Sequence, residues 1–312
     1  MITSARRLVA CAAAVVVCAA GAAAAAPKSS GPVAGGVVAS AGKVVSHIHI
    51  LPRHGTGDAP IVGALPLGVG LPLQYGGGPV EVTNTSYAIF WEPTTGPQVA
   101  PGYNALINRY FADISGSALF GTTTQYYQTV NGANQAIQNA STFGGSTVDT
   151  TPYPDGDLTD ADVQAEVARV MKAKGWTGGI GHEFFIYTNP GAITLTNFCA
   201  YHGFFSSGGT DVLYANQLYG NQNGCQPPSS PNGNPAADGV IDATSHEHWE
   251  TITDPLVGSG WTAFTGDEGS DQCNHTYGPT DASGADVTLH GHPYILQREW
   301  SNTPLLFGCV MS

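Results

Sequence analysis

Three ionisable side chains within two turns of one helix dictate much of what this chain can become. His246, Glu247 and Glu250 lie in Ser245-His246-Glu247-His248-Trp249-Glu250-Thr251-Ile252-Thr253-Asp254-Pro255. The run reads as helix from about Ala237 to Thr253 and stops before Pro255, because a residue preceding proline avoids helical backbone. On a helix, His246 and Glu250 share a face one turn apart, with Glu247 projecting beside them. This is the layout of the zinc-protease pattern H-E-x-x-H, with Glu in place of the second His. The first His and the fourth-following residue then hold the metal, and the intervening Glu activates a water. A carboxylate oxygen binds zinc at about 2.0–2.2 Å, much as an imidazole nitrogen does. The competing reading is a buried helix whose polar residues bond to neighbouring loops.

The N-terminus bears on where the chain goes. Arg6 and Arg7 precede an apolar, Ala-rich run from Leu8 to Ala26 that closes on Ala24-Ala25-Ala26-Pro27. A basic start, an apolar middle and a small-residue end predict a secretory signal peptide over residues 1–26. No second apolar span follows, so no membrane span is expected once it is removed. Without Arg6 and Arg7, 8 Lys and Arg face 23 Asp and Glu, a formal charge of −15. An acidic chain with no basic cluster repels nucleic acid, which is excluded as a partner. Four cysteines remain after the signal: Cys199, Cys225, Cys273 and Cys309. In an exported chain that even number predicts two disulfides. Of three possible pairings, Cys199–Cys225 and Cys273–Cys309 are favoured because each links sequence neighbours; a four-cysteine zinc site lacks any C-x-x-C pair.

Residues 27–74, rich in Gly, Ala, Pro and Val without a steady period, read as a linker or irregular arm. His47 and His49, at i and i+2, share a face if that stretch is a strand, and His54 follows; such histidines are more often solvated than metal-bound. A single domain is expected over 75–312. Ser86–Trp91 reads as a central strand, Tyr103–Ile114 as a helix, and Thr122–Val130 as a strand. Gly144–Asp157 is turn-rich. Thr159 caps a helix with the apolar stripe Val163, Val167, Val170 and Met171, stopped by Gly175. Glu183–Tyr187 and Val212–Ala215 are further strands, and Tyr294–Asn302 alternates enough to be another. Helix followed by strand, twice over, predicts an α/β fold: a layered sheet with flanking helices and long polar loops, in which a zincin-like helix carries the site.

A catalytic zinc needs three protein ligands and an open position. His246 and Glu250 supply two. Spacing alone does not choose the third among Asp254, His202, Glu268 and Asp271; Glu268 and Asp271 are preferred because a disulfide-held acidic loop can fold back over the helix. Glu247 is then the general base. The same acidic loop offers calcium a set of oxygens, although it does not match the twelve-residue calcium-loop pattern. The expectation is a secreted, extracellular zinc-dependent hydrolase, peptidase-like, acting on an extracellular peptide or cell-wall substrate. The alternative is a non-catalytic extracellular module that binds cell-wall polysaccharide or a surface protein through Tyr and Trp side chains.

Several short motifs occur together in one order: Tyr75-Gly76-Gly77-Gly78-Pro79-Val80, the aromatic strand ending at Trp91, Cys199-Ala200-Tyr201-His202, Ser245 to Glu250 through Asp254-Pro255, Gly260-Trp261, Glu268 to Cys273, and Gln297 to Asn302. Over residues 75–312 this set resembles the EXORDIUM-like, or phosphate-induced protein, family, in a bacterial branch of secreted proteins. The resemblance implies an exported protein; in plants the family is associated with cell-wall and growth responses. Plant members lack the His-Glu pair, so the metal chemistry rests on this chain's own residues. The chain also has Gly77 where the family's opening carries His.

Overall fold

The local signals that mark the helix Asp160–Lys174, α3 in chain order, are all used. Thr159 accepts from the Asp162 backbone N–H while the Asp162 carboxylate accepts from that of Thr159, and Gly175 closes the helix at φ 69°. That closure needs the left-handed region, where glycine has no Cβ penalty. The protein is described here from a computed structural model covering residues 37–40, 43–53, 70–192, 198–220 and 224–311. The expected signal peptide over 1–26, the side chain of His47 and all of His54 lie outside the described residues.

The first half of the chain contains β1 (Val37–Ser40), β2 (Lys43–Pro52), β3 (Gln74–Tyr75), β4 (Asn84–Trp91), α1 (Tyr103–Asp113), α2 (Ala118–Gly121), β5 (Tyr127–Val130), β6 (Ala133–Ala136) and β7 (Ser141–Asp149). The second half contains α3 (Asp160–Lys174), β8 (His182–Thr188), β9 (Phe198–Ser207), β10 (Thr210–Gln217), α4 (Pro235–Thr253), β11 (Trp261–Thr262), α5 (Gly269–Gln272), β12 (Val287–Leu289), β13 (His292–Tyr294), β14 (Glu299–Ser301) and β15 (Gly308–Val310). Seven strands form one sheet in the order β1-β2-β9-β10-β8-β4-β7. β10, β8, β4 and β7 run parallel to one another, whereas β9, β2 and β1 join antiparallel.

Strand alternation sorts the side chains into two layers. Ile48, Ile50, Ile89, Trp91, Phe184, Ile186 and Tyr214 pack against Val163, Val167, Val170 and Met171 of α3. Ala88, Phe90, Phe185, Tyr187 and Ala215 face the other way, toward Ile107, Tyr110 and Phe111 of α1 and Val240, Ile241 and Trp249 of α4. The result is a mixed α/β architecture, mainly sheet, with helices on both faces. On the α4 face the register of β2 with β9 sets His49 directly opposite His202.

Four sequence expectations are corrected. Residues 43–52 are not arm but a strand of the main sheet, because β9 offers an edge and Ile48, Ile50 and Leu51 are buried there. The segment expected to be turn-rich contains most of β7, an edge strand whose polar, Gly-bearing sequence hides its period. Thr122–Gln125 is a 3-10 turn rather than strand, and only Tyr127–Val130 is extended. Between Tyr294 and Asn302 the chain leaves β13, runs through a loop, and forms the short strand β14. Both expected disulfides form, Cys199–Cys225 and Cys273–Cys309. Among the described residues no helix is long and apolar enough to cross a membrane.

Candidate metal centre

Every residue of α4 from Ala236 to Thr253 is buried. Asn234 caps it by accepting from the Ala237 N–H, and Pro235 opens its first turn, where a missing N–H costs nothing. With one side on the sheet and another against α5, the helix has no solvent face on which to place His246, Glu247 and Glu250. All three are completely buried.

Four more groups meet them. His49 comes from β2, His202 from β9, Glu268 from the residue that caps α5, and Asp271 from α5 itself. His246 Nε2 lies 3.2 Å from Glu250 Oε1 and 3.7 Å from Asp271 Oδ1. His202 Nδ1 lies 3.0 Å from Glu247 Oε2 and 3.7 Å from Glu250 Oε2. His49 Nδ1 is 3.4 Å from Glu268 Oε1, and its Nε2 is 2.5 Å from Asp271 Oδ2. Three triads therefore have one ligand atom per residue within 4.8 Å of one another: His246, Glu250 and Asp271; His202, Glu247 and Glu250; His49, Glu250 and Glu268. Glu250 belongs to all three. Donors on one tetrahedral zinc stand about 3.3–3.6 Å apart at the usual bond lengths, close to these separations.

Many of these atoms have no hydrogen-bond partner. Both ring nitrogens of His246, His202 Nε2, Glu247 Oε1, Glu250 Oε2 and both oxygens of Glu268 are buried and unbonded. Orphaned buried polar atoms are rare because each costs about 1–3 kcal/mol, and more when charged. His246 Nε2 and Glu250 Oε1 come close without hydrogen-bond alignment, as two donors aimed at a common point do.

The electrostatics carry the same strain. Burial pushes the Glu268 carboxyl well above its ordinary range, and Asp254, Glu250 and Asp271 add repulsion. Burial also drives Glu247 well up, with His246 opposing and Glu250 reinforcing. Burial lowers His49, but Asp271 and Glu250 outweigh it and raise the imidazole to about 10. Burial alone would depress His246 too, yet the carboxylates of Glu250, Glu247 and Asp271 hold it well above the usual imidazole range. His202 goes the other way: burial, then His49 and His246, keep it neutral. A divalent cation would reverse this pattern by favouring every carboxylate anion at once.

Of the residues singled out from sequence, His246, Glu247, Glu250, Glu268, Asp271 and His202 converge. Asp254 does not join them. Its oxygens accept from the N–H groups of Gly258, Ser259 and Gly260 at 2.5, 2.9 and 2.5 Å, so it shapes the loop after α4 instead. That loop receives the Tyr75–Gly78 segment: Gly76 N–H donates to the Gly260 carbonyl and Gly78 N–H to that of Ser259. A Cβ on Gly76 would stand 2.6 Å from the Ser259 carbonyl oxygen, which is why the approach needs glycine. Sequence alone presents His49 only as half of a histidine pair on an arm, with strand alternation as the one signal for its placement. Together the two segments wall a cleft of about 440 Å³ whose deep side is His49 and Glu268 and whose rim carries Phe264, 74% exposed.

α5 sits this close to α4 because residue 269 has no side chain. A Cβ on Gly269 would lie 2.2 Å from the Trp249 ring. Gly269→Ala is expected to cost about 1–3 kcal/mol through overpacking and, by displacing Glu268 and Asp271, to weaken the hold on any divalent cation bound there, zinc as the probe, about tenfold or more. Parallel thermal melts and competition with a zinc chelator check both effects; a variant with unchanged zinc affinity would uncouple α5 from the site.

A separate acid pair lies on the other side of α4. Glu183 accepts from Asn84 Nδ2 at 2.8 Å, and Glu81 lies close enough to share a proton with it. Neighbouring His248 is pushed down to about 3 by burial and stays neutral. Burial raises Glu183 to about 8 and pushes Glu81 well above the ordinary carboxylate range. The folded state thus holds protons that the unfolded chain releases, so stability is full below the ordinary carboxylate range and falls as pH rises toward 8. Replacing both, Glu81→Gln with Glu183→Gln, should remove a slope of up to roughly 1.4 kcal/mol per pH unit over that window. Denaturant melts of variant and wild type at pH 5 and pH 8 measure the difference; parallel profiles would show that the pair does not titrate.

The chain matches no family model, no curated protein and no solved structure.

Proposed function

We propose that this protein is an exported zinc-dependent hydrolase, peptidase-like in mechanism, with His246, Glu250 and Asp271 as the zinc ligands. One observation carries the reading: buried imidazole and carboxylate groups from β2, β9, α4 and α5 converge while their donor atoms lack partners. When bound, zinc supplies Lewis acidity toward a scissile carbonyl and toward water. Glu247 Oε2 holds His202, leaving Glu247 Oε1 free to take a proton from an attacking water. Seven buried groups fix one another and exclude bulk solvent, and the cleft gives substrate a route to the side of the centre lined by His49 and Glu268. The His246 imidazole in the ligand set favours zinc over calcium, which prefers an all-oxygen shell. The two disulfides suit an oxidising, extracellular setting, and the EXORDIUM-like resemblance belongs to the same proposal.

Purified protein should retain zinc through gel filtration, and His246→Ala should lose the ion held by α4, as counted by metal analysis. A wild-type protein that emerges metal-free after saturation with zinc would end this reading. The cleft's aromatic rim would then favour the non-catalytic module, whose glycan binding survives chelation.

A further inference from the structure

Glu250 is shared by every triad, and one of those triads is not explained by a single ion at His246. Glu250 Oε1 faces His246 and also accepts from the Asp271 N–H at 3.1 Å. Its other oxygen, Oε2, is buried and unbonded. Glu250 also shares a triad with His49 and Glu268, whose contact at 3.4 Å marks a second set of converging donors. Both oxygens of Glu268 are orphaned, though the residue is completely buried. The Nε2 of His202, also orphaned and buried, lies 3.7 Å from the same Glu268 oxygen. An ionised Glu247 carboxylate 3.0 Å from its Nδ1 favours the His202 tautomer that presents a lone pair at Nε2. A carboxylate on the far nitrogen is the arrangement that orients metal-binding histidines.

We propose that the centre holds two divalent cations bridged by Glu250: one among His246, Glu250 and Asp271, and a second among His49, Glu250 and Glu268, with His202 Nε2 beside it. This rests on the metal reading above and extends it. The second position lies against the cleft, since His49 and Glu268 line it, whereas His246 does not. Substrate entering by the cleft then reaches the outer position first, and the inner one lies behind it across the shared Glu250. Two cations also balance four buried carboxylates better than one does.

The test counts ions on the full exported chain. Wild-type protein is loaded separately with zinc and with manganese(II), freed of excess by gel filtration, and analysed for metal per chain. Two ions per chain, with manganese giving an exchange-coupled paramagnetic resonance spectrum, is the expected result. The double variant His49→Ala with Glu268→Gln should fall to one, with a six-line single-ion spectrum. One ion in the wild type overturns the pair but leaves the zinc reading standing. None overturns both. Two ions retained in the double variant would place the second elsewhere and overturn the assignment. The wild-type count and spectrum need no variant to fold.

Discussion

Adding zinc to metal-free protein is expected to raise its melting temperature by roughly 10 °C. Four carboxylates that are buried in the folded state, Glu247, Glu250, Glu268 and Asp271, repel one another without a cation and are hydrated when the chain unfolds. A ligand bound only by the native state contributes about 4 kcal/mol at a thousand times its dissociation constant. Each kcal/mol moves the midpoint of a domain this size by about 2–4 °C. The comparison is a calorimetric melt of chelator-treated protein with and without excess zinc, and calcium as the control cation. A shift under 2 °C with zinc, or an equal shift with calcium, would contradict a zinc centre with an imidazole among its ligands.

Glu247→Gln should lower zinc-dependent peptide hydrolysis by at least a hundredfold while leaving the metal content intact. The amide oxygen still accepts from His202 Nδ1, so the imidazole keeps its orientation, but the side chain has lost the ability to take up a proton. General-base removal costs about 10²–10⁴ in rate. Hydrolysis of a mixed peptide pool, followed by mass spectrometry with metal analysis on the same samples, separates the two properties. If the variant cleaves as fast as wild type, Glu247 is only a positioning group for His202. If wild type itself cleaves nothing with zinc bound, the centre is not hydrolytic.

Local patterns were legible in the sequence where one residue's neighbours decide its conformation. Thr159, the Val163-Val167-Val170 stripe and Gly175 define α3 without help from the rest of the chain. The buried strands β4, β8 and β10 announce themselves through aromatic and branched residues, and α4 through its spacing. What tertiary contacts decide stayed hidden. β2 is flanked by Gly- and Pro-rich sequence, and its membership in the sheet depends on β9 as a partner more than 140 residues later. His49 therefore could not be placed opposite His202 from spacing. Likewise, choosing among Asp254, Glu268 and Asp271 required knowing that Asp254 is engaged by the amides of residues 258–260, while α5 brings the other two against α4.

The pairing of His49 with Glu268 joins positions near opposite ends of the chain. Native contacts with such long loops between them close slowly, since the intervening chain's entropy is spent before the contact is rewarded. An ion held by both residues would consequently be acquired late in folding, after β2 and α5 have both settled. Metal capture would then serve as a certificate of completion: a copy in which either segment had failed to dock, however helical, would stay empty-handed.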